Sequence, residues 1–336
     1  MTSRSRAYWL DQAKEAVART SNYTDRITHE MMEIFEISAA RIEAQINGIF
    51  SRYAIDNHLP YDEARRMLSG QEYSRWRMSL DSYMRDISAE GRRSKIYLEL
   101  NTLSAKAQIS RQEQLLGDIY SEIIRMAGDS SMTLERLLGD LYSVSYYRSG
   151  YSIQRGLGVQ FNMAKLNPKL IQDVISYPWS QKHFSTAIWG HADTIAAMAK
   201  REIAVGFATG SSVQKMARQI DGVLNRGRYV TERLVRTECK YFATRAELDG
   251  FRANGIKKYR YIGGTEMSIS CDCPALNGKV FAIEDAEPGV NAPPMHPNCL
   301  CIIVADFGDF SIFVEIDVTP LHGNVKFKEW MARQVA

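Results

Sequence analysis

The sequence predicts an α+β protein, with long, mostly helical N-terminal and middle regions and a small C-terminal β-rich module stapled by a Cys/His cluster. Three observations predict it. Apolar residues recur at helical spacing through most of the first 254 residues, β-type runs collect after Gly255, and four of the five cysteines fall between Cys271 and Cys301. At 336 residues the chain is long enough to bury more than one core. We expect three parts: a helical extension or bundle over 1–165 that binds a partner, a second helical part over 166–256, and the β-rich module with its tail over 257–336.

Residues from about 5 to 150 read as helix almost throughout. Ile27, Met31, Ile34, Phe35, Ile42, Ile46 and Ile49 fall on one helical stripe, with Thr24 and Asp25 where a cap would stand. Leu59-Pro60 breaks the pattern, and Tyr61-Asp62-Glu63 opens a second helix that Gly70 ends. Leu115, Leu116, Ile119, Tyr120, Ile123 and Ile124 suggest a further helix, and Leu134, Leu137, Leu138, Leu141 and Tyr142 another. Helices with one apolar face need packing partners, in a bundle or on another protein. Tyr73, Arg75, Trp76, Arg77, Tyr83 and Arg85 are of residue types enriched at interfaces, although internal packing accounts for most aromatics.

Asn167-Pro168 and Tyr177-Pro178 punctuate a connector. Helices then resume over His183 to Phe207, Ser211 to Leu224 and Tyr229 to Asn254, with Gly210 and Gly255 closing two of them. The β-type runs are Lys258 to Ile262, Lys279 to Ile283, Cys301 to Phe307 and Phe310 to Ile316.

Charge is unevenly spread. Residues 1–150 hold 20 Lys/Arg against 21 Asp/Glu, whereas residues 155–260 hold 18 against 8. Such an excess attracts phosphate polymers or acidic protein surfaces, and a solvated helical face is an equally weighted alternative. Arg226, Arg228, Arg233, Lys257, Lys258 and Arg260 are the candidate DNA contacts, but their spacing does not place all of them on one face. Arg236 with Glu238 is read instead as internal support for the cysteine module. No apolar run is long enough to span a bilayer and the first residues lack a secretory pattern. We therefore expect no membrane partner, and a reducing cytosol in which clustered cysteines more often hold metal than pair.

The cluster comprises Cys271, Cys273, His296, Cys299 and Cys301, with Pro293-Pro294 and Pro297 stiffening the turn that presents the last three. Thiolate and neutral imidazole are the ligands of structural zinc, and four of these five would close a tetrahedral site. The Cys-x-Cys spacing is tighter than usual for zinc pairs, and Cys301 could instead face the core of the following strand. Buried packing cysteines and a disulfide are the alternatives. A catalytic zinc site would need an open position and a nearby base, yet no His-Glu-x-x-His is present and no His-x-Glu precedes Pro297-Asn298-Cys299-Leu300-Cys301.

Trp189-Gly190, Arg236-Thr237-Glu238, Cys273-Pro274-Ala275-Leu276-Asn277-Gly278-Lys279 and Pro293-Pro294-x-His296-Pro297-Asn298-Cys299-x-Cys301 together resemble the phage Mu F-like head morphogenesis family, which includes the minor capsid protein of phage SPP1. The resemblance covers roughly residues 180 to 307. It implies a minor capsid protein of a tailed phage, in few copies at the portal vertex, needed for head assembly or DNA exit and not an enzyme. The implied partners are the portal protein, packaged double-stranded DNA and a major capsid or scaffolding protein. The implied location is the capsid interior, with the host cytoplasm during assembly. Members commonly have arginine between the last two cysteines, where this chain has Leu300. The competing class is enzymatic: a metal-dependent DNA-processing enzyme or an ADP-ribosyltransferase-like effector. Against it, Glu266, Asp272, Glu284 and Asp285 follow no catalytic spacing and the six histidines are scattered.

Overall fold

The computed structural model describes residues 6–56, 111–160, 162–180, 182–209, 211, 213–263, 273–307, 319–320 and 326–335. The α+β reading holds. The helices are α1 (Arg6–Asp56), α2 (Arg111–Leu157), α3 (Pro168–Ser176), α4 (Phe184–Ala208), α5 (Val213–Ala253), the short α6 (Cys273–Leu276) and α7 (Phe327–Val335). The strands are β1 (Val159–Gln160), β2 (Lys258–Ile262), β3 (Val280–Ala282), β4 (Ile302–Asp306) and β5 (Thr319–Pro320). The helix expected after Tyr61, the aromatic and arginine group from Tyr73 to Arg85, and the run Phe310 to Ile316 lie outside the described residues. No helix among the described residues is long and apolar enough to cross a membrane.

The chain divides into two compact units, each assembled from separated stretches. One comprises His29–Thr133 and Lys182–Glu232. Its core is the predicted stripe of α1, where Met31, Phe35, Ile42 and Ile46 are buried, together with Leu115, Leu116, Ile119, Tyr120, Ile123 and Ile124 of α2. Glu122, 1% exposed, is tied by Ser38 at 2.9 Å, Arg41 at 3.2 Å and Arg125 at 2.7 Å. Three donors compensate a carboxylate withdrawn from water.

Three expectations fail here. Thr24 is interior to α1, and its hydroxyl donates to the Thr20 carbonyl at 2.7 Å instead of capping a helix start. The two apolar stripes of α2 belong to one helix. The expected break between Leu224 and Tyr229 is likewise absent, because α5 runs through Asn225-Arg226-Gly227-Arg228. Gly227 is there for closeness: a Cβ would stand 2.6 Å from Ile195 Cδ1 and 3.3 Å from Phe35 Cε1. Its packing role overrides its poor helix propensity.

The other unit comprises Met1–Thr28, Leu134–Gln181 and Arg233–Ala336. The dipeptide read as a connector starts α3, with Asn167 Oδ1 accepting from the Lys169 N–H at 2.9 Å and Pro168 in the first turn. At the end of α5, Gly255 (φ 75°) donates to Arg252 and Ile256 to Phe251, a Schellman closure that drops buried Ile256 into the core. β2 follows at once.

β2 is the middle of an antiparallel sheet of order β3-β2-β4, with Lys258 opposite Ala282 on one side and Asp306 on the other. Alternation sends Tyr259 and Tyr261 inward. Tyr259 packs with Ile153, Leu248, Phe251, Ile256, Ile303 and Ala305, so the sheet lies on the ends of α2 and α5. Buried Trp330 of α7 donates its Nε1–H to Gln154 Oε1 at 2.9 Å and packs edge-on against Tyr151. Trp330→Ala removes this ring and its hydrogen bond to Gln154. We expect a loss of about 3–5 kcal/mol, read from chemical denaturation.

Candidate metal centre

Cys273 opens α6, directly after the stretch that follows β2. Its position is fixed by backbone contacts on the far side of the motif. Gly278 N–H donates to the Tyr261 carbonyl at 2.8 Å, Tyr261 N–H to the Lys279 carbonyl at 2.9 Å, and Gly263 N–H to Asn277 Oδ1 at 3.1 Å. Gly278 has φ 81°, which glycine adopts without strain. A Cβ on Gly263 would stand 2.8 Å from the Cys273 carbonyl oxygen, so only glycine lets the two backbones approach this closely. The Asn277-Gly278-Lys279 segment is thus the clasp that returns the chain from Cys273 to β3.

His296 and Cys299 come from a four-residue turn. The Cys299 N–H donates to the His296 carbonyl at 3.2 Å, Pro297 occupies the second position and Asn298 the third, with φ 61°. Proline excludes a positive φ at the second position, and a positive φ at the third defines the type II class, which favours glycine or asparagine there. This turn places residues 296 and 299 side by side. The preceding Pro293-Pro294 peptide is cis.

The outcome is convergence: one ligand atom each from Cys273, His296 and Cys299, all within 4.8 Å of one another. These three lie close enough to bind a metal ion. The histidine is preset for it. Its Nδ1 lies 2.9 Å from the Pro297 carbonyl oxygen, which only accepts, so in the neutral ring Nδ1 carries the proton and Nε2 the lone pair. Nε2 is buried and has no hydrogen-bond partner. A ring oriented by a backbone carbonyl with its other nitrogen left bare is the arrangement of a metal-ligating histidine.

The remaining predicted ligands divide. Cys271 lies outside the described residues. Cys301 is fully buried just before β4, in a cluster with Tyr261, Cys273 and Cys299, but does not belong to the group within 4.8 Å. Its thiol stands beside that of Cys299, which it holds, together with burial, above the ordinary thiol range. Cys239, Cys273, Cys299 and Cys301 form no disulfide with one another. Cys239 belongs to the core, and burial pushes its thiol up to about 12.

The predicted supports and basic residues are placed as follows. Arg236 is exposed and lines a cavity of about 120 Å³ with Lys240, Asn298, Cys299 and Leu300, adjoining the site. Glu238 is buried and accepts from Trp179 Nε1 at 2.9 Å, while the Trp179 ring stacks on Tyr241. Arg226 and Arg233 are exposed on α5, and Arg228 donates to Asn225 Oδ1 at 2.9 Å. Lys257 and Lys258 are exposed at the start of β2. Arg260 is engaged by Asp306 at 2.6 Å and by the Gly278 carbonyl at 2.8 Å, a strand-to-strand tie. Sequence reasoning missed two neighbours of the site, Tyr261 and Lys240. Alternation along β2 could have placed Tyr261 on the inner face with Tyr259, but no sequence signal marks Lys240.

Two predictions follow from this geometry. Asn298→Gly should leave thermal stability and metal retention intact, whereas Asn298→Val should cost about 1–3 kcal/mol and loosen the site, because a β-branched residue resists positive φ. Glu238 is raised by burial to about 7, against the Trp179 hydrogen bond. Folding therefore favours its neutral form: the contribution is complete below the ordinary carboxyl pKa and is lost as pH rises through about 7. Glu238→Gln, which keeps an acceptor for Trp179, should flatten the stability profile between about pH 4.5 and 7. It should exceed the wild type by up to about 3 kcal/mol above that window, measured by denaturant titration across pH.

Residues 198–304 match the family model described as Phage Mu protein F like protein. The match begins within α4 and ends within β4, so it takes in Cys273, His296 and Cys299 together with the turn and clasp that present them. Over this segment the chain is similar to that family. No curated protein and no solved structure matches the chain.

Proposed function

We propose that this protein is a minor capsid protein of a tailed bacteriophage that acts in head morphogenesis. In this reading it sits inside the capsid at the portal vertex, touches packaged double-stranded DNA, and serves head assembly, genome delivery or both. The observation that supports it is the match of residues 198–304 to the phage Mu protein F like family, across the whole Cys/His site.

In the same reading the site is architectural and its ion is zinc, for which two thiols and one imidazole are a soft, suitable donor set. Cys273, His296 and Cys299 would hold the ion, which would supply a cross-link between α6 and the turn that precedes β4. Coordination would take the place of hydrophobic core in a loop-rich segment. The exposed cations Arg226, Arg233, Lys257 and Lys258 are suited to sequence-independent phosphate contact.

The purified full chain should carry about one zinc per molecule, and a chelator that strips it should lower the melting temperature. It should sediment with portal particles, and mass spectrometry of mature virions should find it. Binding to duplex DNA should weaken steeply with salt, and Arg226→Glu with Arg233→Glu should reduce the slope of log affinity against log salt by about 2. Failure to associate with portal particles overturns the assembly reading. Salt-insensitive or absent DNA binding overturns the nucleic-acid part alone.

A further inference from the structure

Three features around the site remain to be accounted for: a further thiol, a buried phenol and a neighbouring ammonium. Two thiolates and an imidazole leave a tetrahedral ion one ligand short. Cys301 is the described thiol beside the group, packed with Cys273, Cys299 and Tyr261 in one buried cluster. The Tyr261 hydroxyl is buried, and the polar groups within its hydrogen-bonding reach are the thiols of Cys301 and Cys273. Neutral thiols are weak acceptors, whereas a thiolate would satisfy this O–H.

Lys240 supplies the third feature. It follows Cys239 on α5 and lines the cavity that Cys299 also lines. Burial lowers its pKa, and the neighbouring Glu247, Cys299 and Cys301 act the other way, favouring the ammonium when they are charged. Three thiolates around a divalent ion carry a net charge of minus one, which is costly to bury uncompensated. A lysine whose field reaches two of the three sulfurs is placed to balance it. Glu247, its other partner, is raised to about 7 by burial, so it is only partly ionised near neutral pH.

We propose that Cys301 completes a three-thiolate, one-imidazole zinc centre with Cys273, His296 and Cys299, that Lys240 is its fixed counter-charge, and that Tyr261 donates a hydrogen bond to a ligand sulfur. The proposal rests on the zinc reading above and specifies its coordination and charge. On binding, each of the three thiols gives its proton to solvent as its sulfur bonds the ion, so three protons leave for each zinc taken up by a site of neutral thiols and neutral imidazole. Lys240 and Tyr261 are positioning residues, acting through the sulfurs without touching the ion.

The test uses the full chain, with zinc alone and cobalt(II) alone as probes. X-ray absorption at the zinc edge should count three sulfurs and one nitrogen, and cobalt(II) should give the thiolate charge-transfer bands of that donor set. Cys301→Ala should lower the sulfur count to two, while Cys271→Ser should leave it at three. Lys240→Met and Tyr261→Phe should each weaken zinc binding by about 10- to 100-fold with the sulfur count unchanged, Lys240→Arg should restore most of it, and Glu247→Gln should not weaken it. Should Cys301→Ala fail to fold, the wild-type sulfur count and the Lys240 pair decide. A wild-type chain that retains no metal overturns the zinc reading itself. Retention with two sulfurs, loss of a sulfur in Cys271→Ser, or zinc affinity in Lys240→Met and Tyr261→Phe within twofold of wild type overturns this inference while leaving zinc in place.

Discussion

The C-terminal architecture depends on β2 being paired along both edges. With β3 on one side and β4 on the other, its backbone groups are satisfied, and its inward tyrosines are fixed in register. That register decides where the two ends of the site emerge. Cys273 opens α6, which is tied to the end of β2 through Asn277 and Gly278, and Cys299 shortly precedes β4, whose first residue pairs with the last of β2, so both belong to the same end of the same sheet. A slip of one residue would turn Tyr259 and Tyr261 outward and carry Ile303 off the core face.

Local chemistry then refines what pairing brings near. The Pro297-Asn298 turn brings the imidazole and one thiol together, and the Asn277-Gly278 clasp holds the other thiol against the Gly263 backbone. Each device uses a residue whose conformational range matches the backbone required, so the site is arranged by the polypeptide before any ion contributes.

Much of this was legible in the sequence, for identifiable reasons. Helical spacing revealed the buried faces of α1 and α2, because burial on one side imposes that period, and the β-type run from Lys258 to Ile262 coincides with β2. The errors lie where a tertiary contact overrides a local signal. Gly227 reads as a breaker but is retained in α5 by the side chains of Ile195 and Phe35, and Thr24 reads as a cap but bonds backward within a helix already under way. Asn167-Pro168 reads as a loop because the same dipeptide suits a loop and a capped helix start alike. In the candidate site the ligand types were legible, but the proximity of Lys240 was not, since it comes from α5 packing near a turn almost sixty residues later.

The unit holding the site also contains the start of the chain. Tyr8 donates to the Ser152 carbonyl and Ser152 to Gln12, while α7, near the other terminus, reaches the same helix through Trp330 and Gln154. During translation the first helix is therefore made long before the β3-β2-β4 sheet of its own unit. Completion of this unit waits for synthesis of β2 to β4, and a product terminated before them would leave the first helix without much of its native surroundings.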